Sequence, residues 1–197
     1  MNNTAKILIL TGKSGTGKDT ILHELEKRGF VTNAFVSTTT RPKRVNEKDG
    51  VDYHFVTDSE FQRKIAEGYF IEYRSYNTTV AGKPAVWHYG SPKVQLYIGT
   101  QYAIVLDIKG AEAFAEYYGR NNCYIVYIDV PDSVRKQRAI QRGSFDAVEW
   151  QRRLMDDAQK FDTKRIQRVC NQVVDNTGFV GDTVQAIING MQTFFAK

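Results

Sequence analysis

The sequence predicts an α/β fold, a three-layer sandwich with a mostly parallel sheet, and three observations predict it. Strand-like runs at 6–10, 34–38, 103–108, 124–130 and 172–175 alternate with helical patterns at 19–28, 111–118, 133–141, 147–169 and 181–195. That alternation is the order of βαβ units with helices on both faces of the sheet. Residues 104–106 and 125–128 are continuously apolar, as strands buried on both faces are. Finally, the first apolar run ends in a glycine-rich turn that leads straight into an amphipathic segment, and ligands of such sheets bind at the carboxyl ends of the strands.

The first element carries the chemistry. Residues 7–20 read Ile-Leu-Ile-Leu-Thr-Gly-Lys-Ser-Gly-Thr-Gly-Lys-Asp-Thr, the strand–loop–helix order of a phosphate-binding loop, so the sandwich is of the P-loop type. Gly12, Gly15 and Gly17 let the backbone turn its N–H groups inward at phosphate oxygens. The helix that starts near Lys18 adds its positive end to the same anion site. Lys18 supplies a point charge for the β- and γ-phosphates. Gly12, Lys13, Ser14, Gly15, Thr16, Gly17, Lys18, Asp19 and Thr20 are therefore the residues expected to bind a nucleoside triphosphate, ATP. The usual motif places Ser or Thr directly after the lysine, where the hydroxyl ligates Mg²⁺. Here Asp19 stands at that position and Thr20 brings the hydroxyl one residue later. Asp19 could hold the metal through water or favour the helix N-terminus.

The next segment, 33–94, breaks the βα rhythm. It is rich in Thr, Tyr, Gly and charge, with short strand-like pieces at 53–56 and 69–73, and reads as an insertion on the core. A polar turn around Gly143, between two arginine-bearing helical segments, has the composition of a mobile lid. At 197 residues and 22.5 kDa the chain suits one domain, 1–197. Its expected core is 1–32, 95–141 and 154–197, its insertion 33–94 and its lid 142–153. The formal charge is +5, but the arginines fall in two separate places. Small polyanionic substrates fit that better than nucleic acid, for which there is no dedicated motif. No apolar run approaches a membrane span and residues 1–6 lack a signal-peptide core, so the expectation is a cytoplasmic protein without membrane contact. Cys123 and Cys170 have no metal-type spacing and read as buried free thiols.

A second constellation follows the first strand–helix unit. It runs Ser37-Thr38-Thr39-Thr40-Arg41-Pro42-Lys43-Arg44, then Gly50-Val51-Asp52-Tyr53-His54-Phe55, Phe70-Ile71-Glu72 and Tyr89-Gly90-Ser91. Arginine forks suit phosphate oxygens and Tyr53 can add an O–H donor, so Arg41, Arg44 and Tyr53 form a candidate phosphate clamp. Together with the phosphate-binding loop, these four stretches resemble the guanylate kinase family, in the same order and from Ile7 to about Thr177. The resemblance implies that 33–94 is the NMP-binding insertion. It implies that Arg41, Arg44, Tyr53 and Tyr89 hold the phosphate of GMP and that Ser37, Glu72 and Ser91 face the guanine. Chemistry agrees for Glu72, because a carboxylate can accept from the N1–H and 2-amino groups of guanine, a donor pair that adenine lacks on that edge. Asp107, at the end of 103–108, resembles the first aspartate of the family's L-D-I-D run. It could hold Mg²⁺ through water, meet the guanosine end, or cap the next helix. Lys109 replaces the second aspartate.

The lid region also resembles the family in Arg138-x-x-x-Arg142-Gly143 and in Arg153-Leu154. Arg138 and Arg142 share one helix face, and with Arg153 and Lys18 they are the candidate catalytic residues, stabilising charge on the transferring phosphoryl group. Arg135, Arg152 and Arg165 read as solvated or ion-paired surface residues. Trp87, Trp150, His23, His54 and His88 read as packing or surface residues. Asp175-Asn176 is a weak candidate for adenine contact, with helix capping as the alternative.

Glu72 and Tyr89 lie farther apart than the family's spacing, and the excess at 76–87 reads as an enlarged loop or hairpin. It could reshape selectivity, contact another subunit of a homodimer, or lengthen a surface turn. The resemblance implies ATP-dependent phosphorylation of GMP or dGMP with Mg²⁺. Two other readings are a kinase of another phosphorylated acceptor such as ribose 1,5-bisphosphate, and a non-catalytic guanylate-kinase-like interaction module.

Overall fold

A computed structural model describes residues 5–45, 47–80, 83–143 and 145–196. Asn46 of the insertion, Ala81 and Gly82 of the 76–87 stretch and Ser144 of the expected lid lie outside the described residues. Contacts divide the chain into two compact units, one formed by the chain up to Asn33 and from Tyr97 onward, the other by Ala34–Leu96.

The first unit opens with β1 (Lys6–Thr11), α1 (Lys18–Lys27) and β2 (Asn33–Ala34). The second contains β3 (Thr38–Thr39), β4 (His54–Phe55), α2 (Asp58–Ala66), β5 (Phe70–Val80) and β6 (Lys83–Pro92). The chain then completes the first unit with β7 (Gln101–Val105), α3 (Ile108–Tyr118), β8 (Cys123–Asp129) and α4 (Asp132–Gln141). Last come α5 (Ala147–Lys160), α6 (Thr163–Val169), β9 (Gln172–Asp175) and α7 (Val180–Phe195).

The larger sheet has the order β2-β7-β1-β8-β9, and its β1–β7, β1–β8 and β8–β9 ladders are parallel. β1 lies in the middle, so every side chain from Ile7 to Leu10 is fully buried. Because side chains alternate along a strand, Leu8 and Leu10 enter a cluster with Ile21 and Leu25 of α1 and Val184, Ile187 and Met191 of α7. Ile7 and Ile9 point to the opposite face, where α3 packs on β1 and β8 with Ile108, Ala111 and Phe114 fully buried. The three layers expected from the sequence are thus formed by helix, sheet and helix. No helix among the described residues is long and apolar enough to cross a membrane.

The second unit is a four-stranded sheet of order β4-β3-β6-β5. Its long arm is the antiparallel β5–β6 hairpin, whose ladder runs from Phe70↔Pro92 to Val80↔Lys83 with an irregularity between Phe70 and Glu72. The stretch 76–87 is therefore the outer part of a hairpin. α2 covers the sheet through Phe61, which stacks on Phe70 at 4.7 Å and on His88 at 5.3 Å.

The structure departs from the sequence expectation at four points. Residues 34–38 are not one strand: β2 is the edge of the large sheet, while β3 pairs with β4 and β6 in the small one. Residues 147–169 are not one helix: α5 stops at Lys160, and the Asp162 carboxylate accepts from the Arg165 N–H at 2.9 Å to start α6, which is an N-cap. α2 lies where the sequence pattern shows no helix, although Thr57 and Glu60 form the Thr-x-x-Glu start signal and the Thr57 hydroxyl accepts from the Glu60 N–H at 3.2 Å. Both cysteines are free, but only Cys123 is fully buried, Cys170 being half-buried.

Candidate functional site

The loop between β1 and α1 curls at the carboxyl end of the central strand. Gly12 has φ +150°, and a Cβ there would lie 2.6 Å from the Ile128 carbonyl oxygen at the end of β8. Gly17, with φ +90°, would bring a Cβ within 2.7 Å of Asn176 Nδ2. Side chains at these two positions would push the loop off the sheet, so glycine is required by both conformation and space. Lys18 folds back over the loop and donates to the carbonyls of Gly12 at 2.8 Å and Lys13 at 2.9 Å. Burial pushes its ammonium down to about 8, against the pull of Asp19 and Asp157. Thr16 is fully buried and its hydroxyl donates to the Lys13 carbonyl at 3.0 Å. Asp19 and Thr20 are exposed in the first turn of α1.

The arginines differ in what they reach. Arg138 Nη2 donates to the Asn176 carbonyl at 2.6 Å, and its Nη1 would lie 3.8 Å from a Cβ at Gly17, so it borders the loop. Arg153 Nη1 donates to Ser14 Oγ at 3.3 Å, and its Nε to Glu149 at 2.7 Å. Bonds from Arg152 and then Arg153 hold the Glu149 carboxyl at about 2, against burial. Arg142, the C-cap of α4, is exposed. Asp107 caps α3, its Oδ1 accepting from the N–H groups of Lys109 at 3.0 Å and Gly110 at 3.1 Å. It belongs to the unit that carries the phosphate loop.

Two residues of this unit escaped the reading of their side chains. Arg135 is neither solvated nor on the surface: it is 1% exposed and bonded to Asp157, Asp132 and the Ser14 carbonyl. The polar run of α4 gives no sign of this, because burial comes from partners far away in the chain. Asn176 is buried too. Its Nδ2 donates to the Thr16 carbonyl at 2.8 Å and its Oδ1 accepts from Thr183 at 3.0 Å, so it braces the phosphate loop. Arg165 is ion-paired with Glu112, and Arg152 with Glu149.

In the second unit the predicted acceptor residues gather on the small sheet. Arg41, 5% exposed, lies over the Tyr53 ring at 5.5 Å, and Tyr53 meets Tyr89 edge-on at 6.0 Å. Arg41 also forks onto Glu47, through Nη1 at 3.0 Å and Nη2 at 2.6 Å. That bond holds the Glu47 carboxyl below the usual carboxylate range. Arg44 is exposed and 3.9 Å from Glu47. Ser37 sits just before β3, its carbonyl accepting from the His54 N–H at 2.8 Å. Glu72 and Ser91 are cross-strand partners. The Ser91 hydroxyl donates to Glu72 Oε1 at 2.6 Å, and Arg74 Nε lies 3.1 Å from Oε2. The larger unit can thus hold an anionic polyphosphate, while the smaller presents a guanidinium–phenol group near a fixed carboxylate.

Comparison with known proteins bears on this arrangement. Residues 4–192 match the family model described as guanylate kinase. The chain is 31% identical over 160 residues to the guanylate kinase of Helicobacter pylori strain J99, covering 79% of this chain and 73% of that one. It is 36% identical over 143 residues to the guanylate kinase of Clostridium perfringens strain SM101, covering 73% and 64% respectively. The crystal structure of guanylate kinase from Anaplasma phagocytophilum superposes with a TM-score of 0.68 at 25% identity, covering 100% of this chain and 89% of that one. Matched over nearly its whole length, the chain belongs to the guanylate kinase family.

Proposed function

We propose that the protein transfers the terminal phosphoryl group of ATP to the phosphate of GMP or dGMP, giving ADP and GDP or dGDP. One observation carries the choice of acceptor. Along a single face of the β5–β6 hairpin, Glu72 and Ser91 stand one cross-strand pair away from Tyr89, which joins Tyr53 and Arg41. A carboxylate for a base with two N–H donors and a guanidinium–phenol clamp for a phosphate match the two ends of a guanine nucleotide.

The acceptor phosphate needs no general base, because its second pKa of about 6 leaves it largely dianionic at neutral pH. The protein's tasks are alignment of two anions and neutralisation of charge. Lys18 does this from the phosphate loop, and Arg138 and Arg153 border that loop. Arg142 stands exposed at the C-terminal end of α4. Mg²⁺ fits the donor set: Asp19 and Thr20 expose hard oxygens in the first turn of α1, and this ion takes few protein oxygens beside water and phosphate. Asp107, engaged as a helix cap, would meet the ion through water. When bound, Mg²⁺ would neutralise charge on the triphosphate. Soluble nucleotides as substrates fit work in the cytoplasm.

The test is ADP release from Mg·ATP with GMP, dGMP, AMP, CMP, UMP and ribose 1,5-bisphosphate as acceptors. Release confined to GMP and dGMP is the expected result. Turnover only with the sugar bisphosphate would transfer the assignment to that acceptor. ATP binding without turnover on any acceptor would leave an interaction module.

A further inference from the structure

Every polar group of Ser14 is held by a charged side chain from one of the two helices that flank residues 142–146. Its N–H donates to both carboxylate oxygens of Asp157 on α5, each at 3.2 Å. Its carbonyl accepts from Arg135 Nη1 on α4 at 2.6 Å. Its hydroxyl accepts from Arg153 Nη1 on α5 at 3.3 Å. Arg135 and Asp157 are themselves joined at 2.7 Å and are 1% and 6% exposed. Arg135 Nη2 continues to Asp132 at 2.6 Å, and its guanidinium lies 5.4 Å from the centre of the Trp150 ring.

A buried ion pair is seldom more stable than well-packed apolar side chains of the same volume, so folding alone does not account for this one. Its geometry does. The Ser14 N–H belongs to the peptide unit that also carries the Lys13 carbonyl, and a trans peptide turns these two groups in opposite directions. Asp157 therefore pins the N–H end of a plate whose carbonyl end receives Lys18 Nζ at 2.9 Å and the Thr16 hydroxyl at 3.0 Å. Arg135 pins the next plate through the Ser14 carbonyl. Both peptide planes around Ser14 are thus set by α4 and α5, and the resting position of Lys18 is set with them.

We infer that Arg135 and Asp157 are positioning residues for phosphoryl transfer, holding the phosphate loop and Lys18 in register with the helices that bracket residues 142–146. The inference rests on the kinase reading for its catalytic consequence, and on the loop geometry alone for its effect on ATP binding.

The test replaces the pair by apolar residues, Arg135→Met with Asp157→Leu, in the full-length protein, beside each single change. The single variants should melt well below the parent, since each leaves one buried charge unpaired. The double variant should recover most of that loss, yet keep a kcat/KM for ATP about 10- to 100-fold below the parent, with KM for GMP within about twofold. Recovery of both stability and ATP kinetics would show that the pair only holds the helices together, and would overturn the inference. If the double variant does not fold, Asp157→Asn serves instead: it keeps the shape and one acceptor oxygen. It should fold and lose ATP efficiency by about tenfold, and parental kinetics would overturn the inference. If the parent binds ATP but transfers nothing, the kinase reading fails on its own, and the same comparison is read from the Kd of ATP.

Discussion

Arg41 and Glu47 form a forked pair, each guanidinium nitrogen donating to its own carboxylate oxygen at 3.0 and 2.6 Å. The fork that is expected to grip two oxygens of a phosphate is already matched to the two oxygens of a carboxylate. Arg41 is nearly buried, so Glu47 keeps its charge compensated and its fork in one orientation before a nucleotide arrives.

Removal of that carboxylate should be felt first as stability. Glu47→Ala leaves a buried guanidinium without its partner, at a cost of about 3 kcal/mol. A phosphate-bearing ligand can supply the missing anion. The increase in melting temperature produced by GMP should therefore be larger in the variant than in the parent. Thermal shift with and without GMP measures this, and an equal or smaller increase would mean that the phosphate binds elsewhere.

Lys18→Met should separate activity from folding. Burial already disfavours the ammonium, holding it near 8, so an apolar side chain of similar length should leave the melting temperature unchanged or raise it slightly. ADP formation should fall by about a thousandfold or more, because the charge proposed to meet the β- and γ-phosphates is gone. Retained turnover would exclude the loop as the ATP site.

Glu72 should decide the base. In Glu72→Gln one acceptor oxygen becomes a donor that faces the donors of guanine. We expect kcat/KM for GMP to fall by about two orders of magnitude, with KM for ATP within about twofold. Equal losses for both nucleotides would mark Glu72 as structural, held by Ser91 and Arg74 for the sake of the hairpin.

The thiols predict a pH dependence. Burial pushes both Cys123 and Cys170 up to about 12, whereas an unfolded thiol ionises near 8.5. The folded state thus holds its thiol protons in a range where the unfolded state has released them. Their contribution to stability is complete below about pH 8.5 and is lost as the pH climbs toward 12. Urea midpoints should be lower at pH 10 than at pH 8, and the drop should shrink in Cys123→Ala. In native protein at pH 8, Ellman's reagent should react slowly with both thiols, and rapidly once urea is added.

Much of this was legible in the chain because the signal was local. Residues 7–20 carry strand, turn and helix signals in one continuous stretch, and the structure forms β1, the loop and α1 there. Where reading failed, a distant partner or a quiet local signal was responsible. The amphipathic pattern of 147–169 runs on without interruption, and only the Asp162 cap inside it reveals two helices. Arg135 looks like any arginine of a polar helix, since Ser14 and Asp157, which bury it, approach only in the folded chain. Asn176 likewise shows its use only once Thr16 and Arg138 are beside it. Nothing in its own neighbourhood distinguishes a loop brace from a helix cap.

The β5–β6 ladder has one consequence for what the small sheet can accept. Side chains of cross-strand partners share a face, so Glu72 with Ser91, then Arg74 with Tyr89, then Tyr76 with Trp87 stand in successive rungs on the same side. The irregularity between Phe70 and Glu72 sets which residues face that way, because a slip of one would turn them all over. Two residues of strand separate Ser91 from Tyr89, a span of about 7 Å. The hairpin is thus a ruler: it fixes the carboxylate–hydroxyl pair of Glu72 and Ser91 at one mark and the Tyr89 phenol at the next.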